Sequence, residues 1–497
     1  MRYHLVPFGC QMNLSDSERI HAVLESLGCE RTEREEEADL LGVVACSVRQ
    51  KAIDKVYTRI HKWNEWKKER NILTFISGCV LPGDREKFMD RFDLLFTINE
   101  LPQLPEMLRQ YGVVSPVSLR AAAQDVTRQA NDDPASGYWN VEPAYSSRFE
   151  AYVPIQNGCD KFCTFCAVPY TRGREVSRPS DMILAEVRRL VASGYRSITL
   201  LGQNVNSYGL DRRSRNEEEI TFASLLRRIG EIGNDKNARF WTYFTSPHPH
   251  DMSDEVIDVI AAYPVLARQL HLPIQSGDDK VLIRMNRTYR VDTYRRIVEK
   301  IRAAIPEASL FTDIIVGFTG ETDEQFEGTR RAMREFAYNM AYIAMYSPRP
   351  GAASARWDDD VPHEEKRRRL HELSGELQRI SLAYNEALVG SEVSLLVDGE
   401  DRKPGYLSGK TEGRLIVRFA SDDPGLMGRF VTVRIDRASP LSMEGTLVAV
   451  EPQTLREAAE VTSRSHEAYR RARRTADGIA AETAYGMPAR TAAARRA

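Results

Sequence analysis

No apolar run in the chain approaches the ~18 residues that a transmembrane helix needs, and the start, MRYHLVPFGCQMN, lacks the charged leader and long apolar core of a secretory signal. Both absences predict a cytoplasmic protein without a membrane partner. Cysteine is scarce and odd in number, seven in 497 residues, which argues against a disulfide framework and leaves thiols free for metal in a reducing compartment. An excess of positive charge is missing too. With 69 Lys and Arg against 71 Asp and Glu, the whole-chain basic bias of a dedicated nucleic-acid binder is absent, so any RNA contact must be local. The length suits about three domains at the usual ~150 residues each.

The few cysteines are concentrated. NGCDKFCTFCAVPYTRGREVSRP sets Cys159, Cys163 and Cys166 in a C-x-x-x-C-x-x-C run. Structural zinc needs four ligands, usually in two pairs, and no further Cys or His lies near this run. An iron–sulfur cube also normally takes four thiolates. Held by three, it leaves one iron open, and an open position is how a metal site keeps room for a reacting ligand. The spacing therefore points to a cluster. Buried structural cysteines would require neither this spacing nor the polar Asp160 and Lys161 between them.

Three more cysteines end apolar runs in the first part of the chain: YHLVPFGC at Cys10, ADLLGVVACS at Cys46 and ILTFISGC at Cys79. Helical patterns separate the runs, the first being SDSERIHAVLESLG with Ser15 or Asp16 as its expected cap, so the segment reads as βαβαβ with a parallel sheet. Parallel strands so connected bring their C-terminal ends, and these cysteines, to one sheet edge, where open α/β sheets place ligands. The alternative is three buried small hydrophobes. Cys29, just past a helix, breaks the pattern and reads as ordinary packing.

The polar stretch AAAQDVTRQANDDPASGYWNVEP marks a linker. Beyond it, FEAYVPIQ, SITLLG, RFWTYFT, RQLHLPIQ, SLFTDIIVGF and MAYIAMYS alternate with amphipathic helices. This predicts six parallel strands curled into a full or partial barrel with its site at the strand C-termini. The Cys159 run follows the first of these strands. The loops after the others are polar and glycine-rich, and they offer Gln203, Asn204, Ser276 and Asp313 as ligand contacts. His248 and His250, among prolines, read as loop histidines. Short alternating strands from SEVSLLVDG to MEGTLVAV predict a small β-barrel of the size that commonly binds oligonucleotides. The Arg- and Ala-rich tail, REAAEVTSRSHEAYRRARRTADG, is expected to be helical in places, otherwise disordered and solvated.

FGCQMNLSDSE, ACSVRQKAIDKV, GCDKFCTFCAVPYTRGREVSRP, LLGQNVNSYG, LHLPIQSG, DIIVGFTGETDEQFE and YSPRPGA together resemble the radical S-adenosylmethionine (SAM) methylthiotransferases, over nearly the whole chain to about Val450. The resemblance implies a methylthiotransferase domain over 1–112, a linker over 113–147, a radical SAM partial (β/α) barrel over 148–384, a TRAM β-barrel over 385–450 and a tail over 451–497. It also implies two 4Fe-4S clusters. Cys159, Cys163 and Cys166 match the cluster whose open iron chelates S-adenosylmethionine and, given an electron, cleaves it to a 5'-deoxyadenosyl radical. Phe162 and Phe165 would form an apolar wall beside it. Cys10, Cys46 and Cys79 match the auxiliary cluster that carries or supplies the inserted sulfur, and a second S-adenosylmethionine gives the methyl group. GCVLPGDREK after Cys79 departs from the family, which more often has an alanine–glutamine pair there.

GCQMN further resembles the tRNA-modifying MiaB type, acting at C-2 of isopentenyl-adenosine beside the anticodon. The branch that acts on an aspartate of a small-subunit ribosomal protein (RimO type) usually differs at that motif. The implied partners are a tRNA anticodon stem-loop, an electron donor of flavodoxin or ferredoxin type and a sulfur donor, with the chain a monomer. A non-catalytic iron–sulfur protein that binds RNA through its β-barrel is the alternative of another class, and it leaves the barrel-rim loops unexplained.

Overall fold

A computed structural model of the chain describes residues 1–47, 50–111, 137–214 and 220–484. The first domain is built on β1 (Arg2–Phe8), β2 (Glu30–Arg31), β3 (Leu40–Cys46), β4 (Leu73–Cys79) and β5 (Leu94–Leu95), all parallel in the order β2-β1-β3-β4-β5. Its helices are α1 (Gln11–Ser26), α2 (Gln50–Trp66), α3 (Pro82–Met89) and α4 (Leu104–Arg109). Strand β3, LLGVVAC, is buried throughout, as a strand covered on both faces must be. Val44 packs into one core layer with Ile20, Leu24 and Phe75, and Val43 into the opposite one with Val56, Ile60 and Trp63. Because the strand order reverses between β1 and β3, the crevice at their C-terminal ends is where such a sheet accepts a ligand.

Two expectations for this domain change. Helix α1 starts at Gln11 with Cys10 as its N-cap, so Ser15 and Asp16 lie inside the helix, not at its cap. They are buried because this polar face meets the second domain: Ser15 Oγ donates to the Tyr152 carbonyl at 3.3 Å, and Glu18 accepts from the Ser146 hydroxyl at 2.7 Å. The segment read as a linker is docked over its described part, 137–147, with Tyr138, Trp139 and Val141 in the first domain's core. Residues 112–136 lie outside the described residues.

The second domain has β6 (Glu150–Pro154), a small antiparallel pair β7 (Gln156–Asn157) and β8 (Val176–Ser177), then β9 (Ser197–Leu201), β10 (Trp241–Phe244), β11 (Gln269–His271), β12 (Ser309–Val316) and β13 (Met340–Met345). The expected six parallel strands form two sheets, β10-β9-β6 and β11-β12-β13, joined through the bridge Thr242–Leu266. The seam falls where strands are shortest, and Pro273 just beyond β11 cannot continue a ladder. The helices that wrap the strands are α5 (Val168–Arg172), α6 (Ser180–Ala192), α7 (Leu210–Ser214), α8 (Phe222–Lys236), α9 (Asp254–Ala262), α10 (Asp279–Arg284), α11 (Val291–Ala304), α12 (Asp323–Phe336) and α13 (His363–Glu386). Helix α6 is typical, turning Ile183, Val187, Leu190 and Val191 into the barrel core at the spacing of one helical face.

The third unit is a closed barrel of β14 (Glu392–Glu400), β15 (Tyr406–Thr411), β16 (Ile416–Ala420), β17 (Phe430–Ala438) and β18 (Met443–Val450), in the order β14-β15-β16-β18-β17. The tail departs from expectation. Leu455–Ala484 is one continuous helix, α14, and residues 485–497 lie outside the described residues. Tyr469, Ala472 and Ala476 fill one side of the small barrel's core. The arginines of α14 find protein partners, Arg473 at the Ala337 carbonyl and Arg470 at Glu307 Oε2, 3.0 Å away. A charge-rich tail reads as solvated only while its distant carboxylates and carbonyls are out of view.

Candidate active site

Both cysteine triads open onto one cavity. It has a volume of about 1400 Å³, and Cys10, Cys46, Cys79, Cys159, Cys163 and Cys166 all line it. In the first domain, Cys46 and Cys79 stand side by side in register at the ends of β3 and β4. Cys10 caps α1, where Asn13 accepts from its backbone N–H at 3.3 Å and donates to the Ala45 carbonyl at 3.1 Å, tying the ends of β1 and β3 together. Gly78, just before Cys79, has φ +105 and a Cβ there would meet the Ala45 carbonyl oxygen at 2.4 Å, so only glycine brings the strand end this close.

The second triad sits on the loop after β6. Gly158, with φ +81, leaves no room for a side chain against Arg174 and turns the loop at Cys159. The loop is pinned by Cys166 N–H to the Cys163 carbonyl at 2.9 Å, Thr164 N–H to the Met285 carbonyl at 3.1 Å and Ser354 N–H to the Thr164 carbonyl at 2.8 Å. Cys29 lies elsewhere, buried in the first domain's core.

One arginine attends each triad. Arg172 Nε donates to Cys79 Sγ at 2.9 Å, and its other nitrogens reach Asn157 Oδ1 at 3.1 Å and Asp16 Oδ2 at 2.5 Å. Arg287 Nη1 donates to Cys163 Sγ at 3.4 Å and Nη2 to the Pro273 carbonyl at 3.1 Å. Burial pushes the Cys159 thiol up to about 12 and the Cys166 thiol up to about 11, so without a metal these thiols keep their protons and loading must displace them. Cationic donors aimed at sulfur favour thiolate once a cluster is bound. The donor set fits: free cysteines in threes, a charge-assisted donor for each triad, and a shared cavity. Among the described residues no three Cys, His, Asp or Glu side chains stand at single-ion spacing. A cube binds each thiolate at its own iron, which suits wider spacing.

The remaining cavity wall also suits a polar ligand. Asn204 Oδ1, Gln275 Oε1 and His248 Nε2 are buried without a hydrogen-bond partner, and all three residues line the cavity. Gln275 has φ +70 and Ser246, also in the lining, φ +54, strained backbone of the kind that gathers at functional sites. Of the contacts expected from sequence, Phe165, Gln203, Asn204 and Asp313 line the cavity. Gln203 braces the site by accepting the Gly158 N–H at 2.6 Å, and Asn204 donates to Asp251 Oδ2 at 3.0 Å. Asp313 Oδ2 lies 3.0 Å from His271 Nε2.

Ser276 does not join them. It is fully buried, its hydroxyl 3.3 Å from Thr329 Oγ1 on α12. The left-handed turn at Gln275 sends Gln275 inward and Ser276 behind the rim. Phe162 also differs, since φ +47 turns it outward, 38% exposed, against Tyr170 and Arg174, so Phe165 alone of the pair faces the cavity. His248, read as a loop residue, is a buried lining residue, while His250 is exposed. Missed altogether was Arg414, which the β15–β16 turn of the small barrel inserts into the cavity wall. Its guanidinium donates to Thr199 Oγ1 at 2.8 Å and stacks 4.0 Å from the Tyr243 ring centre.

Residues 153–333 match the Radical SAM superfamily, residues 2–97 the Uncharacterized protein family UPF0004 and residues 386–448 the TRAM domain. A tRNA-2-methylthio-N(6)-dimethylallyladenosine synthase of Dictyoglomus thermophilum is 38% identical over 452 residues, covering 90% of this chain and 98% of that protein. The chain belongs to that family. The synthase of Geobacter metallireducens is 40% identical over 453 residues, again 90% of this chain and 98% of the relative, and that of Cronobacter sakazakii 38% identical over 461 residues, 91% and 93%. The chain is thus a radical SAM transferase of the methylthiotransferase kind, whose family uses S-adenosylmethionine and 4Fe-4S clusters. Among the described residues no helix is long and apolar enough to cross a membrane.

Proposed function

We propose that this chain inserts sulfur and a methyl group at C-2 of N6-dimethylallyladenosine beside the anticodon of tRNA, with Cys159, Cys163 and Cys166 holding the radical cluster and Cys10, Cys46 and Cys79 the auxiliary one. One observation carries the reading: two three-cysteine sets, on different domains, face a single cavity. A transfer that needs both a radical and a sulfur source requires them to share one space.

A cluster held by Cys159, Cys163 and Cys166 would, with S-adenosylmethionine and one electron from the donor, supply a radical able to take hydrogen from an unreactive carbon. The chain's own residues bind, orient and exclude water. Asn204, Gln275 and His248 offer unpaired polar atoms to the ligand's polar groups, and Phe165, packed near Phe318 with ring centres 6.5 Å apart, walls one side. Arg287 and Arg172 keep negative charge on the two sulfur sets. Gly158 and Gln203 fix the radical triad's loop. Arg414 joins the cavity lining from the third domain, so an adenine in the cavity meets a cation in its wall.

The same reading places the chain in the cytoplasm as a monomer, served by a flavodoxin- or ferredoxin-type electron donor and by a sulfur donor that recharges the auxiliary site. Nucleoside mass spectrometry of tRNA from cells lacking the gene, with and without complementation, tests it. A methylthio group that disappears and returns with the gene supports the reading, and one that persists refutes it.

A further inference from the structure

The seam between the radical SAM core and the TRAM barrel is tightly fixed. The Trp241 and Phe430 rings meet edge-on with centres 4.8 Å apart, and Arg239 stacks over Phe430 at 4.1 Å. Gly428, at φ +74, lies so close to Phe149 that a Cβ would meet its side chain at 2.9 Å. Beside this contact is a second cavity of about 360 Å³. Among the described residues its charged lining is Arg148 and Arg196 from the core and Arg429 from the TRAM barrel, with Gln453 the other polar side chain and no carboxylate.

Elsewhere in the seam, cations are matched. Arg239 lies 2.6 Å from Glu451, and Arg268 lies beside Glu307 and Glu412. In the notch the like charges face one another: burial pulls the Arg196 guanidinium below its ordinary value, and Arg429 and Arg239 pull it further. Guanidinium groups converging from two domains without a counter-charge are matched by an anion with several acceptor oxygens, and phosphate geometry suits arginine's planar fork.

We infer that Arg148, Arg196 and Arg429 form a phosphate-binding notch at the core–TRAM seam that takes a backbone phosphodiester of the RNA substrate. The inference rests on the tRNA reading above and gives that RNA a contact outside the catalytic cavity. It also accounts for RNA binding by a chain without an overall basic bias, since the cations are local and shared between two domains.

The test uses the reconstituted holoenzyme and unmodified tRNA at several salt concentrations, comparing wild type with Arg148→Gln/Arg196→Gln/Arg429→Gln. Three guanidinium groups on one phosphodiester make a single phosphate contact, worth roughly 0.7–0.9 in the slope of log affinity against log salt, so the triple variant should lose about one unit of slope and bind several-fold more weakly. Cleavage of S-adenosylmethionine without RNA should stay at the wild-type level, because none of the three residues lines the catalytic cavity. Should the triple variant fold poorly, Arg148→Gln and Arg429→Gln, both at exposed positions, should each lose part of that unit of slope and weaken binding. Wild-type slope and affinity in these variants overturn the inference. Inorganic pyrophosphate is the control ligand: tight, arginine-dependent binding that leaves tRNA affinity untouched assigns the notch to a small anion and overturns the RNA assignment. If wild type binds tRNA with notch-dependent slope yet adds no methylthio group, the proposed function fails while the notch stands.

Discussion

Replacing Arg172 by Gln should loosen the first domain from the barrel and change the auxiliary site together. Its side chain is 3% exposed and that of its partner Asp16 1%. Burial alone would lower the guanidinium's pKa, but Asp16 and then Cys79 outweigh it and raise it. Gln keeps a donor but removes the charge, leaving the Asp16 carboxylate buried without compensation, and Asp16 Oδ1 already lacks a partner. Breaking a buried pair from one side costs roughly 3–5 kcal/mol, which is about two to three and a half orders of magnitude in the local opening equilibrium of α1 on β6. Hydrogen exchange of the protected α1 amides reads that equilibrium directly. Asp16→Asn in the same background should restore part of the protection, since removing both charges leaves neither stranded. A protein-film titration should show the auxiliary cluster's potential lowered by loss of the cationic donor to Cys79, with the radical cluster unmoved. Unchanged α1 protection and an unchanged potential in Arg172→Gln would refute the argument that one arginine joins the domains and attends the sulfur.

Each of Cys159→Ala, Cys163→Ala and Cys166→Ala should abolish 5'-deoxyadenosine formation, with iron content falling by about half, on one cube per triad; cleavage at the wild-type rate in any of them contradicts the assignment. Cys10→Ala, Cys46→Ala and Cys79→Ala should leave S-adenosylmethionine cleavage measurable while methylthio product vanishes, whereas Cys29→Ala should cost on the order of 1 kcal/mol in stability and no product. For Arg414→Gln, uncoupled cleavage should persist while KM for tRNA rises several-fold, and an unchanged KM would remove Arg414 from the substrate's path. The α14 clamp should depend on pH. Burial alone would lower His466, but Glu412, 2.7 Å away, and Glu307 outweigh it and raise it above its ordinary 6.5. Burial alone would raise Glu412, but His466 outweighs it and holds that carboxyl below its ordinary 4.5. A raised histidine adds stability that is complete below 6.5 and lost as pH rises through the folded value, while a lowered carboxyl adds stability lost as pH falls through its own. Limited proteolysis at α14 should therefore be slowest between those limits, accelerate on the alkaline side, and lose that alkaline step in His466→Gln.

The cysteine triads were legible because one is a compact run after a strand and the other three strands that each run into a cysteine, and because parallel connection fixes which ends meet. The barrel strands were legible for the same reason, through apolar runs ended by polar loops. Contacts across long separations were not. Nothing near Ser15 or Asp16 in sequence shows that Arg172, 156 residues beyond Asp16, will bury that helix face, so a buried joint read as a cap. Arg414 sits in a turn of ordinary composition and gains its place only when the TRAM barrel docks. Ser276 and Gln275 are equivalent polar loop residues until the backbone at Gln275 turns left-handed and separates them. The tail's arginines read as solvated because Glu307 and the Ala337 carbonyl are remote in sequence.

The most direct test is a single-protein assay. The reconstituted chain, S-adenosylmethionine and a reductant are incubated with tRNA carrying N6-dimethylallyladenosine, in parallel with small-subunit ribosomal protein, and both products are digested and weighed by mass spectrometry. The account predicts a methylthio group on the adenosine, none on the protein, and none on the adenosine when Cys46→Ala replaces wild type. Modification of the ribosomal protein alone, or full modification of the adenosine by Cys46→Ala, would contradict it.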